Sequence, residues 1–346
     1  MKTLRDNFLE DSKRMECLFN GGVKTIGDSV SNRANDEGYG FLYNALEYVD
    51  TIIHKPLYNT FHMRDLPYLY AGGAMEGASF YKSSYQFDSE TGFGSGANST
   101  FTTVEAVINK QKTRIVPLQY KIKLGFIDSL KAEKIGLDFL RMLDEAVLSK
   151  HNLTKDQFAY FGIPGVDDSY GLLNNPDITK TTAETAWKDM TPVTLFEAIN
   201  GKLVDIATTL NLDSRLLPDR ILVPTSFFSF AAKPLAVGTG NTSTPLAVSL
   251  LTYLHENLAT NYMGLPGYID ILPLPYLETA GADNHQRMVF YRYSEEVVRG
   301  VTGMELTRGA TIPSGTDASL NTFFVAFEGE PQFIRTVGML YYDNVE

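Results

Sequence analysis

The stretch from Val116 to Pro176 changes its hydrophobic period twice and then stops in a turn, so the rest of the chain has to be arranged around it. Val116, Leu118, Tyr120, Ile122, Leu124 and Phe126 are apolar at every second position, with Pro117, Gln119, Lys121 and Lys123 between them. That alternation specifies a strand with one apolar and one mostly wet face. From Asp128 the period becomes helical. Ala132, Ile135, Gly136, Phe139, Leu143 and Val147 fall three or four apart and form one stripe. Lys131, Lys134, Asp138, Arg141 and Glu145 fall at the same spacing on the opposite side. The spacing predicts a long helix over 128–151, too charged to cross a membrane. A non-helical connection follows, running from Phe161-Gly162-Ile163-Pro164-Gly165 to Gly171-Leu172-Leu173-Asn174-Asn175-Pro176. Its glycines, prolines and asparagines specify a folded turn.

Before this block the chain is extended and rich in glycine and aromatic residues; after it the pattern is α/β. Residues 1 to about 50 carry no core signature of their own and read as an arm that packs on something else. Ser79 to Phe87 alternates, with Tyr81, Tyr85 and Phe87 in one phase. The segment 91–100, with Gly92, Gly94 and Gly96, reads as a flexible tip, and Phe101 to Ile108 returns as a β-branched run. This describes a two-stranded finger with too little apolar surface to fold alone, since an isolated hairpin is marginal in water. Further on, Thr191-Pro192 is a capping signal for a helix carrying Leu195, Phe196, Ile199, Leu203, Ile206 and Leu210. Arg220–Val223 reads as a buried strand. Thr244-Pro245 repeats the capping device before Leu250, Leu251, Leu254 and Leu258. Tyr268–Leu272 and Arg287–Tyr293 read as strands. Thr322–Phe327 and Gln332–Tyr342 read as a closing strand pair whose partners are expected near Val116–Phe126.

A chain of 346 residues with 44% hydrophobic content can bury a full core. Its formal charge of −11 argues against a grip on nucleic acid through phosphate neutralisation. Cys17 is the only cysteine, which excludes an intrachain disulfide and a thiolate metal cluster and suits a reducing compartment. The amino-terminal residues lack a signal pattern, and no apolar run reaches the roughly 18 residues of a membrane span. A soluble intracellular product is expected.

Candidate chemistry is sparse. Gly92-Phe-Gly-Ser-Gly-Ala97 fits a loose dinucleotide pattern, but strand-like rather than helical residues follow it. Asp167-Asp168, with Glu133 or Asp144, is a candidate carboxylate group, although adjacent acids in a turn more often bend the backbone. His54, His62, His151, His255 and His285 form no metal-ligand pair, and neither a nucleophile elbow nor a phosphate loop is present. No catalytic residue, cofactor or metal is predicted.

The order of pieces resembles the major capsid proteins of tailed bacteriophages with the Hong Kong 97 fold: arm, β finger, strand into long helix, turn, α/β insert, returning strands. Within that group it is most similar to the branch carrying a Gly-Leu-Leu-Asn-Asn-Pro segment, here Gly171 to Pro176. The resemblance implies an α+β subunit in four parts. These are an N-terminal arm over 1–55, an extended loop over 76–124, a peripheral domain over 56–75, 125–177 and 316–346, and an axial domain over 178–315. It implies a subunit that self-assembles in hexamers and pentamers into an icosahedral virion shell in the host cytoplasm. That shell would enclose double-stranded DNA without sequence-specific binding or a membrane, and scaffolding, portal and decoration proteins could join it. Tyr81, Tyr85, Phe87, Phe101 and the tip glycines would then serve assembly through the finger.

Three rivals remain open from sequence: a cellular nanocompartment shell of the same fold, a tail or baseplate protein, and a hydrolase. The hydrolase would use the 76–126 hairpin as a lid, with Asp167 or Asp168 in its site.

Overall fold

The computed structural model describes residues 58–72, 79–87, 94–95, 98–99, 104–125, 127, 139–237, 244–263, 268–314 and 319–345. All belong to the unit formed by Pro56–Leu130 and Asp138–Glu346. The arm over 1–55, the helix positions Lys131, Lys134 and Asp138, and Gly92, Gly96 and Phe101 lie outside the described residues.

In chain order, helix α1 (His62–Asp65) and strand β1 (Tyr68–Tyr70) precede β2 (Ser79–Phe87), β3 (Gly94–Ser95), β4 (Asn98–Ser99) and β5 (Val104–Lys112). Strand β6 (Ile115–Gly125) is followed by the long helix α2, described over Phe139–Phe161. Next come β7 (Thr179–Thr182), α3 (Pro192–Thr209), β8 (Arg220–Val223) and α4 (Phe227–Ala231). Then follow β9 (Pro234–Val237), β10 (Thr244–Ser249), α5 (Leu250–Asn257), β11 (Asp270–Pro273) and β12 (Arg287–Tyr291). The remaining strands are β13 (Val298–Pro313), β14 (Ser319–Gly329), β15 (Gln332–Phe333) and β16 (Leu340–Asp343).

The first sheet has the order β1-β13-β14-β6, with β15 added on β13. Strands β14 and β6 run antiparallel in unbroken register from Ser319 opposite Gly125 to Gly329 opposite Ile115. Directly opposed residues share a face, so Thr322, Phe324, Ala326 and Glu328 lie on one side with Ile122, Tyr120, Leu118 and Val116. Helix α2 covers that side: the ring of Tyr120 meets His151 edge-on at 6.0 Å, and Ile122, Leu124, Phe324 and Ala326 are buried. The opposite side exposes Gln119, Lys121, Lys123 and Phe323. The alternation read from sequence is therefore the two-faced strand itself. Pro117 is tolerated because β6 is an edge strand.

The second sheet has the order β11-β8-β12-β16-β7 and is covered on both faces. Ile221, Val223, Met288, Phe290, Leu340 and Tyr342 join Leu195, Ile199, Leu203, Leu250 and Leu254 of α3 and α5 in one core. Leu222, Val289, Tyr291 and Tyr341, pointing the other way, join Ala159, Tyr160, Leu172 and Leu173 in a second core. Helix α3 starts where the sequence places it: Thr191 accepts the N–H of Thr194 at 3.3 Å and Pro192 takes the first helical position.

Three expectations are corrected. First, the closing pair splits: β14 does pair with β6, but 332–342 is not one strand, and β16 enters the second sheet between β12 and β7. Leu340, Tyr341 and Tyr342 alternate between two apolar layers and need a sheet covered on both faces, which the first sheet does not offer. Second, Thr244-Pro245 lies inside β10 rather than capping a helix. The cap is Ser249, which accepts the N–H of Thr252 at 3.3 Å, one residue before Leu250 reaches the core. Third, the long helix does not end at His151 but continues to Phe161. No breaker occurs until Gly162, whose φ of +84° stops it.

Candidate functional site

The finger is an antiparallel ribbon about 30 Å long at the usual rise per residue. It runs in register from Ser79 opposite Lys112 to Phe87 opposite Val104. Tyr81 stands opposite Lys110, Tyr85 opposite Ala106 and Phe87 opposite Val104. Toward the tip, Gly94 and Ser95 pair with Ser99 and Asn98. Among the described residues β2 and β5 pair only with each other and join neither five-stranded sheet.

Helix α2 carries its solvent charges on the first turns and its buried ones on the last. Arg141 and Glu145 form an i,i+4 pair at 3.4 Å, and Asp144 reaches Arg308 of β13 at 3.3 Å. Leu143 and Val147 of the predicted stripe are half-buried in the single chain. Further along, His151 and Lys155 both approach the buried Glu328, at 3.3 and 3.2 Å. Glu328 also accepts the Thr302 hydroxyl at 2.9 Å. The ammonium of Lys155 sits 4.7 Å above the Tyr68 ring, and burial followed by the Glu328 charge pushes that phenol well up. The next residue, Asp156, is fully buried and accepts the N–H groups of Phe61 and His62 together with His62 Nδ1 at 2.5 Å. Tyr160 donates to Asp65 at 2.6 Å, and Asp65 also takes Arg64 Nε at 2.6 Å. The segment around α1 and β1 is thus pinned to α2 by hydrogen bonds to the buried carboxyls of Asp65 and Asp156, which could not be buried without partners.

The Gly171–Pro176 turn completes this helix. An α-helix leaves its last carbonyls without partners, and here Phe158 O receives Gly162 N–H at 3.0 Å and Ala159 O receives Leu172 N–H at 2.9 Å. Tyr160 O receives Leu173 N–H at 3.0 Å, and Phe161 O receives Asn174 Nδ2 at 2.9 Å. Asn174 Oδ1 in turn accepts Gly171 N–H at 2.6 Å. Gly171 is required sterically: a Cβ there would lie 2.2 Å from the carbonyl carbon of Tyr160. Leu172 and Leu173 are fully buried, while Asn174 and Pro176 are exposed. Asn175 is buried, and its side chain accepts the N–H of Asp177 at 2.9 Å. The turn is fastened to the second sheet. The Tyr341 hydroxyl donates to Leu172 O at 2.7 Å and accepts Asn175 N–H at 3.2 Å. Arg287 donates to Leu173 O at 2.5 Å and grips Asp343 with two bonds of 2.6 and 2.8 Å. The motif is a cap and joint between helix and sheet.

Among the described residues the carboxylate group suggested by sequence is not assembled, and Glu133 lies outside them. Asp167 and Asp168 are exposed, Asp168 bends the chain at φ +61°, and Asp144 is turned to Arg308. His255 stacks on Tyr268 at 5.1 Å. Among the described residues no three His, Cys, Asp or Glu side chains gather as a metal site, and no helix is long and apolar enough to cross a membrane. Sequence reasoning missed the buried polar residues His62, His151, Asp156 and Glu328 with the half-buried Lys155 beside them, and it missed strand β13. One signal was available: Glu328 occupies the apolar phase of the run Thr322, Phe324, Ala326.

Comparison with solved structures finds the same fold at low identity. The capsid of Myoviridae phage XM1 shares 15% identity over 87% of this chain and 98% of its own, with a TM-score of 0.67. The capsid of the native GTA particle shares 13% over 88% and 96%, with a TM-score of 0.58. The SrpI encapsulin complex from Synechococcus elongatus PCC 7942 shares 12% over 89% and 95%, with a TM-score of 0.51. No curated protein sequence matches the chain. The family model described as major capsid protein matches residues 91–345, from the finger to the final strand. With that match across most of its length, and with a mixed α+β fold of the Hong Kong 97 type, the chain belongs to the major capsid protein family.

Proposed function

We propose that this chain is the subunit of the icosahedral head shell of a tailed phage, a structural rather than enzymatic protein located in the virion. Copies associate as hexamers and pentamers and enclose double-stranded DNA without reading its sequence. The formal charge of −11 supports a wall that does not hold packaged DNA tightly. The observation that carries the reading is the ribbon β2–β5, whose strands, among the described residues, pair with each other and with neither sheet. A two-stranded ribbon needs a surface to lie on, and an adjacent subunit supplies one. On this reading residues 76–124 are the extended loop and 1–55 the N-terminal arm. Residues 56–75, 125–177 and 316–346 make the peripheral domain, and 178–315 the axial domain, with β16 hydrogen-bonded into the α/β sheet. Assembly positions on the ribbon are Tyr81, Tyr85, Phe87 and Phe101, with Gly92, Gly94 and Gly96 letting the tip adapt to neighbours in different settings. Lys131, Lys134, Asp138, Arg141 and Glu145 set register across subunits more than affinity. Scaffolding, portal and decoration proteins are the further partners of such a shell.

Electron microscopy of the purified full chain tests this: closed shells, sheets, tubes or capsomers are expected, and a protein that stays monomeric at every concentration refutes it. A second reading, a nanocompartment shell, is favoured by the likeness to the Synechococcus encapsulin complex. The contents of purified particles separate the two, since nucleic acid supports the head and a protein cargo supports the nanocompartment.

A further inference from the structure

Helix α3 gives way to a turn in which Asn211 and Leu212 both take positive φ, 49° and 61°. A leucine rarely adopts this conformation, because its Cβ is driven against the following carbonyl. The N–H of Leu212 bonds Ala207 O at 2.9 Å and that of Asn211 bonds Thr208 O at 3.1 Å, so the leucine is held in place. Its side chain is nevertheless 57% exposed. A glycine would make the same turn without strain, so the leucine serves neither the turn nor the core. Isolated exposed apolar side chains are ordinary; a strained one held in solvent is not.

The turn over 335–338 packs against this one. A Cβ on Gly338 would lie 2.5 Å from Leu216 O and 3.5 Å from Leu210 Cδ1, and the neighbouring Val337 is 62% exposed. Charges of both signs lie on these two turns and next to them. Arg215 binds Asp213 through Nε at 3.2 Å and a terminal nitrogen at 3.3 Å, and Arg335 stands 3.9 Å from Glu296. Arg215 first, and Arg335 after it, hold the Asp213 carboxyl below its usual range. Asp213 first, and Glu296 after it, raise Arg215.

We propose that Leu212 and Val337, rimmed by Asp213, Arg215, Glu296 and Arg335, form a docking contact between two copies of this chain, in addition to the ribbon. The inference rests on the shell reading, which surrounds each subunit with copies of itself. The rim points to that occupant. Two acids and two bases sum to zero on a chain of net charge −11, so a nucleic acid or a partner of one sign would meet like charge over half of it. A second copy presents both signs and can match them.

The test uses the full chain. Leu212→Gly removes the apolar knob and relieves the backbone at once. It should leave the isolated subunit at least as resistant to urea as the parent, while the concentration needed for assembly, read by light scattering and electron microscopy, rises roughly tenfold or more. Val337→Asp, at an equally exposed position, should shift assembly the same way without changing the fold. Both variants assembling at the parent concentration overturns the contact and leaves the shell reading intact. A loss of subunit stability in Leu212→Gly also overturns it, because the leucine would then serve the fold. A parent chain that never assembles overturns the shell reading, and this inference with it.

Discussion

One substitution, glycine to alanine, should lower stability strongly at one position, slightly at a second and raise it at a third, and the contrast isolates what the Gly171–Pro176 turn does. At Gly171 the added methyl would sit 2.2 Å from the Tyr160 carbonyl carbon and 2.3 Å from Phe161 N. Those are backbone atoms of the helix end, so no side chain can swing aside. The turn must lift, and the bonds from Leu172 N–H and Leu173 N–H to the helix lengthen or break. Each buried bond contributes about 1 kcal/mol, and partial withdrawal of two fully buried leucines adds about 1–3 kcal/mol. A total near 3–5 kcal/mol is a large share of the roughly 5–15 kcal/mol that holds a typical domain together. At Gly165 nothing stands within 4 Å, but φ is +77°, so alanine costs only the left-handed strain of about 1–2 kcal/mol. At Gly201, inside α3 with open space around it, alanine should stabilise by about 0.5–1 kcal/mol. Urea unfolding of the unassembled subunit, followed by circular dichroism, reads all three. The Gly171→Ala midpoint should fall by about 1 M or more while that of Gly201→Ala rises. A Gly171→Ala variant as stable as the parent would refute the claim that close packing at the joint fixes the helix end.

Deleting residues 88–100 should leave a folded subunit with native-like circular dichroism and abolish or weaken assembly; normal closed shells from that deletion would remove the ribbon from the assembly mechanism. Arg287→Met should cost about 3–5 kcal/mol in urea, because it leaves the buried Asp343 carboxylate unpaired. Adding Asp343→Leu to Arg287→Met should recover most of that loss. Burial raises the phenols of Tyr68, Tyr160, Tyr291 and Tyr341, with nearby carboxylates adding to the shift at each. Groups raised in the folded state keep their stabilising contribution below their unfolded value near 10 and lose it as pH rises beyond. Unfolding should therefore be favoured above about pH 10 by roughly 1.4 kcal/mol per pH unit for each such tyrosine. Alkaline titration followed at 295 nm should show these tyrosines ionising only as the chain unfolds, and ionisation with the fold intact would contradict their burial.

What could be read from the sequence was whatever depends on neighbours close along the chain. The strand at Val116–Leu124 was legible because one face of the sheet is covered and the other is wet, so burial follows the period of two. The start of α3 was legible because Thr191 and Pro192 act on the next turn alone. The Gly171–Pro176 turn was legible as non-helical, but not as a helix cap, since the carbonyls that Leu172 and Leu173 satisfy belong to residues thirteen positions earlier. Strand β13 escaped because its pairing with β14 shifts register between Thr302 and Met304, again before Thr307 and again before Thr311, and each bulge resets the alternation. The buried polar contacts escaped for a related reason. His62 and Asp156 are 94 positions apart, and nothing local marks either as buried. Strand β16 was recognisable as a strand, but which of two sheets receives it depends on layers formed far away.

That last strand has a consequence for synthesis. Of the strands in the second sheet, β16 leaves the ribosome after all the others, yet it occupies an inner position between β12 and β7. It also brings Tyr341 and Asp343, through which the sheet holds the end of α2 by way of Leu172 and Arg287. A nascent or prematurely terminated polypeptide lacking these few residues has a gap in its sheet and an unanchored helix, so it cannot present a finished surface to its neighbours. Copies truncated before Leu340 are therefore expected to stay out of the shell, excluded by their own incompleteness.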